Sequence, residues 1–247
     1  MRTVVSVINH GHGKLLSLLL SDLNEFCSGE DLKIVITNNV CDEDLVISDT
    51  DFDVQVVNNL RPRGFGANHN SVFNNNHGEF FCILNPDIRL NANPFEVLRS
   101  QLDVAGSGVT VPLVLNSLGK HEVSVRKFPT PATILGKLFG RNSDAINTQS
   151  LSNTVEVDWG GGMCMLFNWR AYREVCGFDE TFFLYYEDVD ICGRMWLGGK
   201  SVLFCPRISV VHDGQRTSHS NLKFFFWHLT SMLRYFLRSR SYINSRL

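Results

Sequence analysis

The sequence predicts an α/β fold in which a mostly parallel central sheet is flanked by helices. Three observations carry that expectation. The β-branched run VVSVI (Val4 to Ile8) is followed by a segment of helical apolar spacing (Leu15 to Phe26) and a second buried-strand pattern (Leu32 to Thr37). The connections between them are short, as in a strand-helix-strand unit. A further apolar run, FFCIL (Phe80 to Leu84), stops abruptly at Asn85-Pro86-Asp87.

The remaining elements follow in order. A loop with Asn9, Gly11 and Gly13 leads from the first strand into the first helix. Val54 to Val57 reads as a third strand, Ala67 to Asn76 as a polar-faced helix and Val109 to Val114 as another strand. Residues 116–153, rich in Ser, Asn, Gly and Pro, read as an irregular insertion carrying a helix near 132–139. Regular structure resumes over 155–167, with a helix from Trp169 to Val175, a helix opening at Glu187 and a strand ending at His212. The C-terminal segment predicts a helix over 222–236, with Phe225, Leu229, Met232 and Phe236 at helical spacing and Leu233 beside them.

Composition bounds the function. The chain has 247 residues, 44% of them hydrophobic, and a formal net charge of -2, which suits one sizeable globular domain and gives no support to nucleic-acid binding. Seven scattered cysteines form no C-x-x-C pair and read as reduced thiols of a cytosolic protein. No segment reaches the roughly 20 apolar residues that cross a bilayer, and no signal peptide is visible, so the expectation is a cytoplasmic protein that meets a membrane only peripherally. The tail offers the means: Lys223, Arg234, Arg238 and Arg240 lie near its apolar stripe, as in a helix on an anionic membrane surface. The same stripe also suits a helix packed on the body of the protein.

Four segments carry chemistry. Asp87 follows directly on a strand, where ligands bind in open α/β sheets, and an acid there can hold a divalent cation bridging a nucleotide diphosphate. N-P-D is equally an ordinary turn. Gly64-Phe65-Gly66, with Asn68 and Asn70, offers close backbone approach and amide donors to a nucleotide, or simply a loop into a helix. Glu187, Asp188 and Asp190 crowd beside Tyr185 and Tyr186. The helix dipole favours acids in a first turn, and Arg194 lies at ion-pair spacing from Asp190, but Asp188 beside the aromatic run points to function. His212 ends a strand, where a metal ligand and a hydrogen-bonded structural histidine are both open readings.

Taken in order, VVSVI, Asn38-Asn39, GFG with Asn70, LNPD, VDWGGGMCM, GFDETFFLYYEDVDICGR and His212 resemble the family 2 inverting glycosyltransferases, which have the GT-A fold. VRKFP, VDWGGG and WHLTSMLRYF look like the bacterial rhamnosyltransferases of O-antigen and cell-wall polysaccharide assembly. The resemblance implies a single domain over 1–247. A Rossmann-like nucleotide-sugar half (about 1–115) joins an acceptor half (about 116–215) and an aromatic, basic C-terminal helix (about 216–247).

The resemblance also implies roles. Asp188 is the catalytic base, supported by Glu187. Asn9, Asn38, Gly64, Phe65, Asn70 and Asp87 bind the nucleotide-sugar, with Asn38 at the pyrimidine base. Trp159, Gly161, Gly162 and Asp190 form the acceptor site. Asp87 and His212 hold Mg²⁺ or Mn²⁺, although N-P-D lacks the first acid of the family's D-x-D motif. The implied donor is dTDP-L-rhamnose, and the implied acceptor is a lipid-diphosphate-linked saccharide. Asn38 does not separate thymine from uracil, since both present the same N3–H and O4 edge, so a UDP-sugar donor is the alternative within enzymes. A nucleotide-sugar-binding partner without activity is the alternative outside them.

Overall fold

The computed structural model describes residues 1–47, 50–102, 106–140, 144–212 and 222–244. The chain opens with β1 (Thr3–Asn9), α1 (Gly13–Cys27), β2 (Leu32–Asn38), β3 (Asp53–Asn58), α2 (Phe65–Asn74) and β4 (Phe80–Leu84). It continues through β5 (Ile88–Leu90), α3 (Phe95–Leu102), β6 (Ser107–Asn116), β7 (Val125–Arg126) and α4 (Pro131–Leu138). Then come β8 (Val155–Glu156), β9 (Trp159–Gly160), β10 (Cys164–Asn168), α5 (Trp169–Glu174), α6 (Glu187–Leu197), β11 (Ser201–His212) and α7 (Leu222–Asn244).

The expected α/β architecture is present as a nine-stranded sheet in the order β3-β2-β1-β4-β10-β6-β11-β5, with β8 pairing on β11. β1 to β4 run parallel, as do β6 and β11, while β10 runs antiparallel between β4 and β6. One face of the sheet packs against α1 and α3 through residues such as Leu16, Leu19, Leu23, Phe95 and Leu98. The other packs against α2, α5 and α6 through Phe73, Tyr172, Ile191 and Met195. Strands buried on both faces explain why the sequence runs apolar rather than alternating.

Two prolines shape the site. Pro112 lies inside β6, where it supplies no ladder N–H, and Pro206 lies inside β11. The register of this pair slips between Cys205, opposite Pro112, and Ser209, opposite Leu113, which is a bulge. Beyond it the ends of both strands continue to His212, which pairs with Asn116 on one side and Ile88 on the other. β5 begins four residues after β4 ends, so this bend carries His212 back to the end of β4.

The C-terminal helix packs on the body along one face, the second of the two readings its stripe allowed. The predicted stripe divides: Met232 and Phe236 pack on the body, while Phe225 and Leu233 are exposed. The buried face is Ser231, Tyr235, Ser239 and Tyr242, against Phe128, Phe182, Tyr186 and Val189. Two of the four basic residues expected on a membrane also belong to the body. Arg234 donates to the Thr181 carbonyl and Arg238 to the Asp179 carboxylate.

Candidate active site

Most of the candidate side chains gather at the carboxyl edge of the parallel strands. Asn9, Asn38 and Asn58 end β1, β2 and β3 in register. Their amides form a ladder in which Asn9 Nδ2 donates to Asn38 Oδ1 at 3.0 Å and Asn38 Nδ2 to Asn58 Oδ1 at 2.8 Å. Each bond uses half of the amide's capacity, so Asn38 keeps one N–H and one lone pair for a ligand. Asn9 does not. It is wholly buried, its other N–H meets Asp42 Oδ2 at 2.9 Å and its oxygen accepts from His12 N. The expected nucleotide contact at Asn9 is therefore replaced by support of Asn38.

Sequence reasoning missed a second amide cluster behind this ladder. Asn59 Nδ2 lies within hydrogen-bond distance of both Asn39 Oδ1 (2.9 Å) and Asn68 Oδ1 (2.8 Å). Asn39 clasps Arg63 through both its backbone groups. The paired asparagines Asn38-Asn39 and Asn58-Asn59 are the only signal of it in the chain. Asp42 was missed as well: it accepts the Gly13 N–H at 2.6 Å, at the start of α1, which has no side-chain N-cap.

The GFG loop is a packing device more than a phosphate loop. A Cβ at Gly64 would lie 2.8 Å from the Phe183 carbonyl oxygen, and one at Gly66 would lie 2.6 Å from Phe178 Cβ. These glycines let the 178–183 segment close on α2, so the close approach expected of a ligand is made by the chain itself. Phe65 stands edge-on to His69 and against Gly162, on the site side of that contact. Asn70 is likewise corrected. Its Nδ2 faces the Phe178 carbonyl and Glu180, its oxygen accepts from Tyr172 and Phe178 N, and it is buried. No group of it is left for a nucleotide.

Asp188 sits in the first turn of α6. Its Oδ1 accepts from Val189 N at 2.8 Å and its Oδ2 from Gly162 N at 3.2 Å. Burial pushes its carboxyl up to about 6, partly offset by those N–H donors. Glu187 is buried, its Oε2 has no hydrogen-bond partner, and burial reinforced by the Asp188 charge holds it well above the usual carboxylate range. Burial thus raises both neighbouring acids, and each charge opposes ionisation of the other. The backbone before them is unusual: Tyr185 and Tyr186 both have left-handed φ, 70° and 66°. Two consecutive aromatic residues there cost energy that surrounding contacts must hold in place. Asp190, expected at the acceptor, is instead wholly buried and bonded to Arg194 and Tyr242, so it faces α7 rather than the cleft.

The glycine segment borders Asp188. Trp159 donates Nε1–H to the Lys127 carbonyl, Gly161 N donates to Ser124 O, and Gly162 would place any Cβ 3.3 Å from Phe65 and 3.8 Å from Asp188. The same segment reaches the N-P-D turn, because Asn85 N donates to Met163 O at 2.9 Å. The glycine segment thus bonds to Asp188 through Gly162 and to the turn bearing Asp87 through Met163.

Asp87 Oδ2 lies 3.2 Å from His212 Nε2, and its Oδ1 is buried with no hydrogen-bond partner. Glu122 Oε2 lies 3.0 Å from His212 Nδ1. The Asp87 hydrogen bond, opposed by burial and supported by Glu122, raises His212 to about 9. Among the described residues no group of three or more His, Cys, Asp or Glu side chains is arranged to hold a metal. Asp87 and His212 Nε2 fit a hard divalent cation only as a partial donor set, completed by ligand phosphates and water, which is how Mg²⁺ is commonly bound. The orphaned Asp87 oxygen is the observation that favours this fit.

No protein-family model matches the chain. It is 26% identical over 249 residues to the rhamnosyltransferase WbbL of Escherichia coli K12, covering 96% of this chain and 93% of that protein. It is 29% identical over 146 residues to an N-acetylglucosaminyl-diphospho-decaprenol L-rhamnosyltransferase of Mycobacterium tuberculosis, covering 54% of this chain but 47% of the relative. In structure it is similar to GalNAc-T7, solved with UDP, GalNAc and Mn²⁺, at a TM-score of 0.66 and 15% identity over 89% of this chain and 44% of that one. The chain therefore spans nearly all of one curated relative and less than half of the others described. In fold the chain is similar to solved glycosyltransferases, and over nearly its whole length its sequence is similar to a bacterial rhamnosyltransferase.

Proposed function

We propose that this chain is an inverting glycosyltransferase moving L-rhamnose from dTDP-L-rhamnose to a hydroxyl of a lipid-diphosphate-linked saccharide in bacterial surface polysaccharide synthesis. The rhamnosyltransferase names of its relatives support the sugar, and the decaprenol-diphosphate acceptor named for one of them supports the acceptor class. The observation that carries the reading is Asp188, whose carboxylate is held by the Gly162 and Val189 N–H groups beside the segment that bonds to the Asn85-Pro86-Asp87 turn.

The reaction is a single displacement. The acceptor hydroxyl gives its proton to Asp188 as its oxygen forms a bond to the anomeric carbon, and the bond from that carbon to the nucleotide diphosphate breaks. One displacement inverts the anomeric centre, so a β-linked donor yields an α-linked product. Gly162 N–H and Val189 N–H hold the Asp188 carboxylate in place, and Phe65, beside Gly162, forms part of the adjoining wall. Asn38 faces the base with its remaining donor and acceptor. Asp87 and His212 would hold Mg²⁺ or Mn²⁺, which, when bound, neutralises charge on the departing diphosphate.

The outer ridge of α7 supports peripheral attachment to the cytoplasmic face of a membrane. Leu222, Phe226, Leu233 and Leu237 lie along one side of the helix, opposite its buried face, and all are exposed, as is Phe225 beside them. No helix among the described residues is long and apolar enough to cross a bilayer. An apolar ridge of this kind suits the headgroup boundary where a lipid-linked acceptor would be met.

A donor panel tests the reading. The purified chain is offered dTDP-rhamnose and a set of UDP-sugars with a synthetic lipid-diphosphate N-acetylglucosamine acceptor, and product linkage is read by NMR. Transfer of rhamnose with an α-linkage is expected. Transfer from a UDP-sugar alone overturns the donor, and absence of both transfer and donor hydrolysis favours a binding partner instead.

A further inference from the structure

We propose that Glu122 is the positioning residue of the cation site. By accepting the Nδ1 hydrogen of His212, it fixes that ring's tautomer and orientation and leaves Nε2, beside Asp87, as the metal donor. The inference rests on the divalent-cation reading of Asp87 and His212 given above.

The placement is built by the strands. Beyond Thr110, the edge of β6 is no longer covered by β10, whose pairing reaches only Leu166 opposite Thr110. The chain turns back on itself there. Asn116 Oδ1 accepts from Leu118 N and Lys120 N, and Gly119 takes a left-handed φ of 71°. The returning segment pairs with β6 through Asn116 N to Lys120 O and Glu122 N to Val114 O. On the opposite edge of β6, the last residues of β11 bring His212 opposite Asn116. Glu122 and His212 are thus held on either side of one strand, and their side chains meet at 3.0 Å.

The chemistry explains why a carboxylate belongs there. An imidazole that ligates a metal through one nitrogen keeps its hydrogen on the other, and that hydrogen needs an acceptor to fix the ring. Asp87 lies on the Nε2 side and Glu122 on the Nδ1 side, so the ring has one polar neighbour for each nitrogen. A fortuitous surface pair would leave the ring free to turn. Here His212, Asp87 and Glu122 side chains are only 21%, 23% and 27% exposed, which restricts that turning.

The experiment is Mn²⁺ binding by calorimetry to the full chain in the presence of dTDP or UDP, for the wild type and for Glu122→Ala, Glu122→Gln and His212→Ala. Glu122→Ala is expected to weaken Mn²⁺ by about 10- to 100-fold, the usual effect of losing a partner of a metal-bound histidine. Glu122→Gln, which keeps a weaker acceptor oxygen, loses less. Long-range ¹H–¹⁵N spectra of the wild type with Mg²⁺ and nucleotide are expected to show His212 with its hydrogen on Nδ1. That measurement stands even if a variant fails to fold. Mn²⁺ affinity unchanged within about twofold in Glu122→Ala but lost in His212→Ala overturns the role of Glu122 alone, as does a hydrogen on Nε2 in the wild type. No Mn²⁺ binding by the wild type overturns the cation reading together with it.

Discussion

Tyr242 donates its hydroxyl hydrogen to Asp190 Oδ1 at 2.6 Å, joining the end of α7 to the helix that carries Asp188. α7 also grips the segment leading into α6. Ser231 Oγ donates to the Leu184 carbonyl, Arg234 and Arg238 reach Thr181 and Asp179, and Tyr235 lies 5.4 Å from the Tyr186 ring. These contacts span the two left-handed tyrosines and supply the constraint that their conformation requires.

Replacing Asp190 therefore acts on the fold. Asp190→Ala leaves Arg194 and Tyr242 without their buried carboxylate and is expected to destabilise the chain by about 3–5 kcal/mol. Tyr242→Phe, losing one hydrogen bond to a charged group, costs about 1.5–3 kcal/mol. Chemical denaturation measures both. For Tyr242→Phe the acceptor KM should stay near the wild-type value, and a selective rise in that KM would return Asp190 to the acceptor site.

Gly193 tests the same contact sterically. A Cβ there would lie 2.5 Å from the Tyr242 ring. Gly193→Ala should cost about 1–3 kcal/mol by overpacking, despite the higher helix propensity of alanine. A melting temperature at or above wild type would mean that α7 sits more loosely than its contacts imply.

As the proposed base, Asp188 is expected to set the pH dependence. With its carboxyl raised to about 6, kcat/KM should climb about tenfold per pH unit below that value and level off above it. Asp188→Asn should lower turnover by roughly 10² or more at pH 7.5 while leaving donor binding intact. The sign for stability is opposite. A carboxyl raised from 3.8 binds its proton more tightly in the folded chain, so the fold loses stability as pH rises from about 4 through about 6. That shift corresponds to about 3 kcal/mol, and losing the Gly162 bond in the amide returns about 1. Asp188→Asn should thus be more stable than wild type by about 1–2 kcal/mol at pH 8, with the gain gone near pH 4. Urea titrations at the two pH values check it.

Metal removal should stop transfer. Excess chelator is expected to abolish activity and Mn²⁺ or Mg²⁺ to restore it, whereas Asp87→Asn should need a higher cation concentration for half-maximal rate. Full turnover in excess chelator would remove Asp87 and His212 from this role.

Membrane attachment should follow the apolar ridge of α7 rather than its arginines. Co-flotation with vesicles containing anionic lipid should fall on converting Phe226 and Leu233 to serine, with the melting temperature little changed because both side chains are exposed. Unchanged flotation would point to packing as the sole role of α7.

What the sequence made legible was local. Strands such as FFCIL and the helix opening at Glu187 declare themselves through runs of side chains that lie beside one another in the chain. The meeting of Asp87 and His212 follows from positions the sequence does show, one just after a strand and one ending a strand of the same sheet. The place of Glu122 was not legible, since only a turn and a β6 edge left bare by β10 bring it to His212, 90 residues away. Asn70 and Asp190 misled for a related reason: a buried amide or acid looks the same in sequence whether its partner is a ligand or a distant helix. Strands of two or three residues, such as β5, β7 and β9, are too short to show any period.

The position of β10 has a mechanical consequence. Because it hydrogen-bonds to β4 on one side and β6 on the other, the strands bearing Asp87 and those bearing His212 form one uninterrupted plate. A clamshell opening would have to tear backbone bonds in the core, so substrates must enter and products leave past the rim.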